Sequence, residues 1–136
     1  MIDSLVQHTL NSEIEFSGVG LHTGCKCKMK IFPADDDHGY KFQRRDLDGG
    51  PIIDATTNNV CSTLRSTSLS KDGVEVHTTE HILAALYSMG IDNVLLVGIA
   101  KGEGRKSGLE TLITVKNEKV NKINLSPFNP ALLLIN

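Results

Sequence analysis

Residues 25–31 read CKCKMKI, placing Cys25, Cys27, Met29 and Ile31 on one face and Lys26, Lys28 and Lys30 on the other. Alternation at period two predicts a strand with one buried and one wet face, so the lysine row is assigned to solvent. Ile14 to Phe16 reads as a shorter strand before it. Between them, GVGLHTG holds three glycines in seven residues, which demands an unusual backbone path. Asp35-Asp36-Asp37-His38-Gly39 reads as a solvated turn. Residues 40–44 then resume alternation and predict a hairpin partner for the lysine strand. Ile52 and Ile53 follow a Gly-Gly-Pro turn, and residues 67–70 and 74–76 predict a hairpin with its tip at Lys71-Asp72-Gly73.

The period changes at Thr78. TTEHILAALYSM is rich in helix formers, opens on threonines suited to capping and meets Gly90, so one helix is predicted over residues 78–89. Ile82, Ala85, Leu86 and Met89 share a face. Leu83 and Tyr87 are apolar as well, so burial around most of the helix is expected. Residues 93–97 (NVLLV) read as an interior strand. Beyond Gly98 the texture shifts to AKGEGRKSG, residues 109–115 alternate again as a candidate edge strand, and ALLLI at 131–135 is an apolar run with no visible partner. The expected class is α+β: a small mixed or antiparallel sheet with one main helix packed on one face. The expected organisation is a domain over residues 1–97 followed by a divergent, partly flexible tail over 98–136.

Composition narrows the function classes. A 136-residue chain with 40% hydrophobic and 22% charged residues fits one folded domain. Its 14 basic and 16 acidic residues leave a net charge of −2, which gives no global field toward nucleic acid or anionic membranes. No run approaches the ~18 apolar residues that span a bilayer, and MIDSLVQHTL lacks the basic start and apolar centre of a signal peptide. A cytoplasmic location is expected. Cys25, Cys27 and Cys61 are odd in number, with a C-x-C pair, which favours free thiols.

Glu80 and His81 are the candidate chemistry. Both fall in the first helical turn, where unpaired amides favour an anionic carboxylate and a neutral imidazole, the metal-binding form. Adjacent helical positions point about 100° apart, so one group could ligate a cation while its neighbour reaches a water on it. As a dipeptide the pair is weak evidence, since Glu is common in first turns and His often packs structurally.

Context strengthens it. VHTTEHILAAL at 76–86, GIDN at 90–93, the loop at 18–24, Phe32-Pro33-Ala34, Arg44-Arg45-Asp46-Leu47 and residues 63–69 occur in an order that resembles the UDP-3-O-acyl-N-acetylglucosamine deacetylases. These are zinc amidases of lipid A synthesis in Gram-negative bacteria, and the likeness covers about residues 7–97. The resemblance implies removal of acetate from the 2-amino group of a UDP-linked, 3-O-acylated glucosamine. It implies that Glu80 is general base toward zinc-bound water and His81 a zinc ligand. Leu21, His22 and Thr23 would lie by the mouth of the site, and Leu64 and Ser66 along the substrate approach.

The same resemblance implies two similar α+β domains facing each other across the site, with the other zinc ligands, a His and an Asp, and a general-acid His on the second. This chain has no histidine after His81, and Asp92 is its only later aspartate. The zinc site is therefore expected to be incomplete here and the chain inactive alone, requiring a second-domain chain as partner. Residues 98–108 also replace the family's acidic, proline-containing continuation, which points to a truncated or disrupted coding sequence or a fragment. The rival reading is a non-catalytic relic or interaction module of the same shape. A phosphate loop ending at Lys106-Ser107 fails, because the required glycines are Ala100 and Arg105.

Overall fold

The computed structural model describes residues 6–64, 66–102, 105 and 108–114. The apolar run at 131–135 lies outside them. The described elements are β1 (Ile14–Gly20), β2 (Lys26–Pro33), β3 (Tyr40–Arg44), β4 (Ile52–Asp54), β5 (Val60–Ser62), β6 (Ser68–Lys71), β7 (Val74–His77), α1 (Glu80–Ser88), β8 (Val94–Ala100), β9 (Leu109–Glu110) and β10 (Ile113–Thr114). A short 3-10 turn, Thr57–Asn59, precedes β5.

The class is α+β, as expected, with two mixed sheets and one main helix. The larger sheet has the order β10-β1-β2-β8-β3-β4 and the smaller β5-β6-β7-β9. β2 keeps its predicted alternation: Cys27, Met29 and Ile31 are buried, while Lys26 and Lys28 are exposed. Its predicted hairpin with β3 does not form. β8 lies between them, antiparallel to β2 and parallel to β3. The reason is burial, because VLLVGIA is apolar on both faces and gains most from a central position.

The β6–β7 hairpin forms as predicted, with Lys71 opposite Val74. Asp72 and Gly73 take φ of 54° and 80°, the two-residue turn whose twist matches paired strands. Helix α1 ends as predicted. Gly90 has φ 73°, and the Ile91 amide donates to the Leu86 carbonyl 3.0 Å away, closing the last turn. Ile82, Ala85 and Leu86 are buried, but Tyr87 is 80% exposed, so the expected burial around most of the helix is corrected to one stripe.

That stripe joins Ile14, Phe16, Met29, Ile31, Phe42 and Leu96 of the large sheet and Leu69, Val76 and Leu109 of the small one in a single core. Leu109 approaches β8 so closely that a Cβ on Gly98 would sit 2.0 Å from its Cδ2. β9 and β10 thus belong to the packed body. β10 pairs with β1 and β9 with β7. Within the core, Arg44 and Asp46 form an ion pair at 2.5 Å with side chains 2% exposed. Among the described residues no helix is long and apolar enough to cross a membrane.

Candidate functional site

The amino end of α1 is built by its neighbours. β7 stops at His77, Thr78 takes φ 57°, and Thr79 is already helical. The expected threonine cap is absent: Thr79 makes no side-chain cap bond, and its Oγ1 donates instead to the Thr67 carbonyl at 3.0 Å. The physical reason is the positive φ at Thr78, which turns the chain so that Thr79 is fully buried. The Thr79 amide also donates to the Thr67 carbonyl at 3.0 Å, and the Thr67 amide returns a bond to Glu80 Oε1 at 3.1 Å. The half-buried carboxylate is thereby held through one oxygen at the positive end of the helix. His81, one position on, is exposed.

The glycine-rich loop is anchored from a different direction. The Gly20 amide donates to the Cys25 carbonyl at 2.8 Å and the Leu21 amide to the Leu112 carbonyl at 3.0 Å. The next two amides turn onto one carboxylate. His22 N lies 3.0 Å and 3.1 Å from the two Glu110 oxygens, and Thr23 N lies 2.9 Å from Oε1. Thr78 Oγ1 is 3.4 Å from Glu110 Oε2. The side chains of Leu21, His22 and Thr23 are exposed, Leu21 by 59%.

Three segments that carry predicted residues are thus tied to one place. Residues 63–67 reach the start of α1 through Thr67, and residues 20–24 reach Thr78 through Glu110. Ser66, next to Thr67 in the chain, is half-buried, and Leu64 is 92% exposed. Among the described residues no hydrogen bond or ion pair joins the side chains of Glu80, His81 and His22 to one another, so they share a region without forming a connected network. Glu110 and Thr111 are the residues that sequence reasoning missed, while Thr78 was read only as a cap and Thr67 only as part of the 63–69 segment. For Glu110 the alternation at 109–115 signalled a strand, but nothing local marked its carboxylate as buried.

Among the described residues, no group of three or more His, Cys, Asp or Glu side chains could hold a metal ion. Zinc sites take four ligands, so His81 with Glu80 beside it does not fit a zinc ion unaided. Two thiols touch this region: Cys25 Sγ donates to the Thr23 carbonyl at 3.8 Å and Cys27 Sγ to the Glu110 carbonyl at 3.7 Å. Burial, with help from the charge of Glu110, pushes the Cys27 thiol up to about 12, while Cys25 is a free thiol at the end of the glycine-rich loop and Cys61 a free, exposed one near Glu75. A concavity lined by Glu15, Ser17, Lys26, Lys28 and Lys101 contains none of the predicted site residues. The chemistry of the α1 terminus is the better guide, since that concavity is the solvated lysine face.

Comparison with known proteins bears on the same residues. Residues 7–103 match the family of UDP-3-O-acyl N-acetylglycosamine deacetylases. The bifunctional enzyme LpxC/FabZ of Bacteroides thetaiotaomicron is 54% identical over 92 residues, covering 68% of this chain and 20% of that protein. The protein of the same name in Porphyromonas gingivalis is 48% identical over 90 residues, 66% of this chain and 20% of the relative. The UDP-3-O-acyl-N-acetylglucosamine deacetylase of Geotalea uraniireducens is 46% identical over 87 residues, 64% of this chain and 28% of the relative. The matched segment therefore spans between a fifth and under a third of the length of these relatives. Glu110 lies beyond it.

Proposed function

The chain belongs to the UDP-3-O-acyl N-acetylglycosamine deacetylase family, and from that premise we propose that it contributes Glu80 and His81 to an amide-hydrolysing centre completed by further polypeptide. The substrate class is a UDP-linked, 3-O-acylated glucosamine bearing a 2-acetamido group, and the products are acetate and the free amine. Glu80 accepts the proton of the attacking water. One of its oxygens is held by the Thr67 amide, while no bond to the other is described. His81 is the zinc ligand of this proposal, exposed where donors on a second polypeptide could join it. Exposed Leu21 and Leu64 suit the acyl part of the substrate, and His22, Thr23 and Ser66 its polar part. A cytoplasmic setting belongs to the same proposal and is supported by the three free thiols.

The observation that carries this reading is the convergence of residues 20–24, 63–67 and Glu80 at one helix end. The test is reconstitution. The full chain is mixed with a polypeptide covering the unmatched part of the Bacteroides thetaiotaomicron relative's deacetylase, and acetate release is followed with zinc present. Turnover should require both chains. Glu80→Gln should lower kcat by about 10²–10⁴-fold, and His81→Ala should weaken zinc affinity. Robust turnover by the chain alone refutes the composite site. A stable complex with zinc but without turnover favours the non-catalytic module.

A further inference from the structure

We infer that Glu110 is the positioning residue of the candidate site, a buried carboxylate that sets the 20–24 loop against the amino end of α1. Its exposure is 3%, yet it takes part in no ion pair with a described Lys, Arg or His. A buried carboxylate is tolerated when hydrogen bonds replace its water. Here the replacements come from two sides at once. The His22 and Thr23 amides approach from the loop, and the Thr78 hydroxyl approaches from the residue that turns β7 into α1.

The backbone around Glu110 repeats the same link. Glu110 sits opposite His77 in the parallel β7–β9 pair, and the Thr111 amide donates to the His77 carbonyl at 3.0 Å. Thr111 Oγ1 donates to the Thr78 carbonyl at 2.9 Å, and the Leu112 carbonyl accepts the Leu21 amide at 3.0 Å. Residues 110–112 therefore form a bridge with one foot in the loop and the other at the helix start. Gly20 leaves room for it: a Cβ there would lie 2.5 Å from Glu110 Oε1 and 2.4 Å from Thr23 Oγ1. Because the amides face inward to the carboxylate, the side chains of Leu21 and His22 are presented outward, while Thr23 Oγ1 turns back to accept from the Cys25 amide at 3.2 Å. Glu110 touches amides and a hydroxyl, so it acts through the loop and takes no part in bond making. Its value for turnover rests on the proposed function, whereas the anchoring does not.

The experiment compares the full chain with Glu110→Ala and Glu110→Gln by amide hydrogen exchange. In the parent chain the His22 and Thr23 amides should be protected. In Glu110→Ala they should exchange at least about tenfold faster, with Met29 and Ile31 of β2 staying within about twofold. Glu110→Gln should fall between, because its amide retains one acceptor and turns a donor toward the loop. If Glu110→Ala fails to fold, Glu110→Gln carries the same comparison. Unchanged exchange at His22 and Thr23, or an equal rise in the loop and in β2, overturns the inference. In the reconstituted enzyme Glu110→Gln should raise KM about tenfold with kcat nearly kept. Faster loop exchange with unaltered KM overturns the role in the site. Absence of turnover in the parent complex sinks the proposed function and leaves the exchange result to decide the anchoring.

Discussion

Asp46→Asn should cost the fold about 1.5–3 kcal/mol, the worth of charged hydrogen bonds lost from a buried guanidinium. The geometry sets that magnitude. Both side chains are 2% exposed, and Asp46 meets Arg44 through two contacts, Nε to Oδ1 at 3.3 Å and Nη2 to Oδ2 at 2.5 Å. The guanidinium also donates to the carbonyls of Glu75 at 3.2 Å and Arg105 at 3.3 Å, so it cannot swing out to water without abandoning them. An Asn keeps the shape, removes the charge and turns an NH2 toward a group that only donates. Against a total stability of about 5–15 kcal/mol for an ordinary domain, that loss is large. Urea unfolding of Asp46→Asn, Asp46→Leu, Arg44→Met and the Leu/Met double variant measures it. The Leu/Met cycle should give a coupling of about 1 kcal/mol or more, since either single substitution already breaks the two hydrogen bonds that Arg44 and Asp46 share. A cost for Asp46→Asn below about 1 kcal/mol, the range of exposed pairs, or strict additivity would refute the reasoning.

Three other outcomes are expected. With its thiol pushed up to about 12 by burial, Cys27 should alkylate roughly a thousandfold or more slowly than exposed Cys61 near neutral pH, and mass spectrometry that finds equal labelling in the native state contradicts this. The Tyr40 hydroxyl donates to the Ile91 carbonyl, and burial first, then the charge of Asp92, holds its pKa above the ordinary value. Its raised value means the protonated form is favoured in the fold, so the contribution is whole below about pH 10 and is lost as pH rises through the folded value. Tyr40→Phe should therefore cost about 1 kcal/mol at pH 8, with the gap narrowing above pH 10, and a gap that widens there is the wrong sign. Gly20→Ala should lower stability by about 1–3 kcal/mol because its Cβ meets Glu110 and Thr23, and an unchanged melting temperature would show that the loop yields freely.

Local patterns carried the elements better than their arrangement. The lysine strand, the Asp72-Gly73 turn and the Gly90 helix end each depend on a few adjacent residues, and each formed as expected. The β2–β3 hairpin failed because β8, far along the chain from β3, is more apolar and takes the central place. Alternation cannot see that competition, since it records which face is wet and not which strand lies beside it. Tyr87 failed for a related reason: an apolar ring reads as buried in any helix, and the packed stripe is set by what faces it.

The candidate site divides along the same line. Glu80 and His81 were legible because a carboxylate and an imidazole in a first helical turn are neighbours in sequence and in space. What holds them in relation to the loops was not. Thr67 and Glu80 are 13 positions apart, and His22 and Glu110 are 88 apart. Such ties leave no periodic trace, and a charged residue at 110 reads as a solvent-facing strand position. The burial of that carboxylate follows from β9 running parallel to β7, which brings residue 110 beside His77 and directs the following turn to Thr78. The candidate dipeptide Glu80-His81 and the frame around it are therefore encoded at different ranges, and only the frame needs the segment beyond the matched residues.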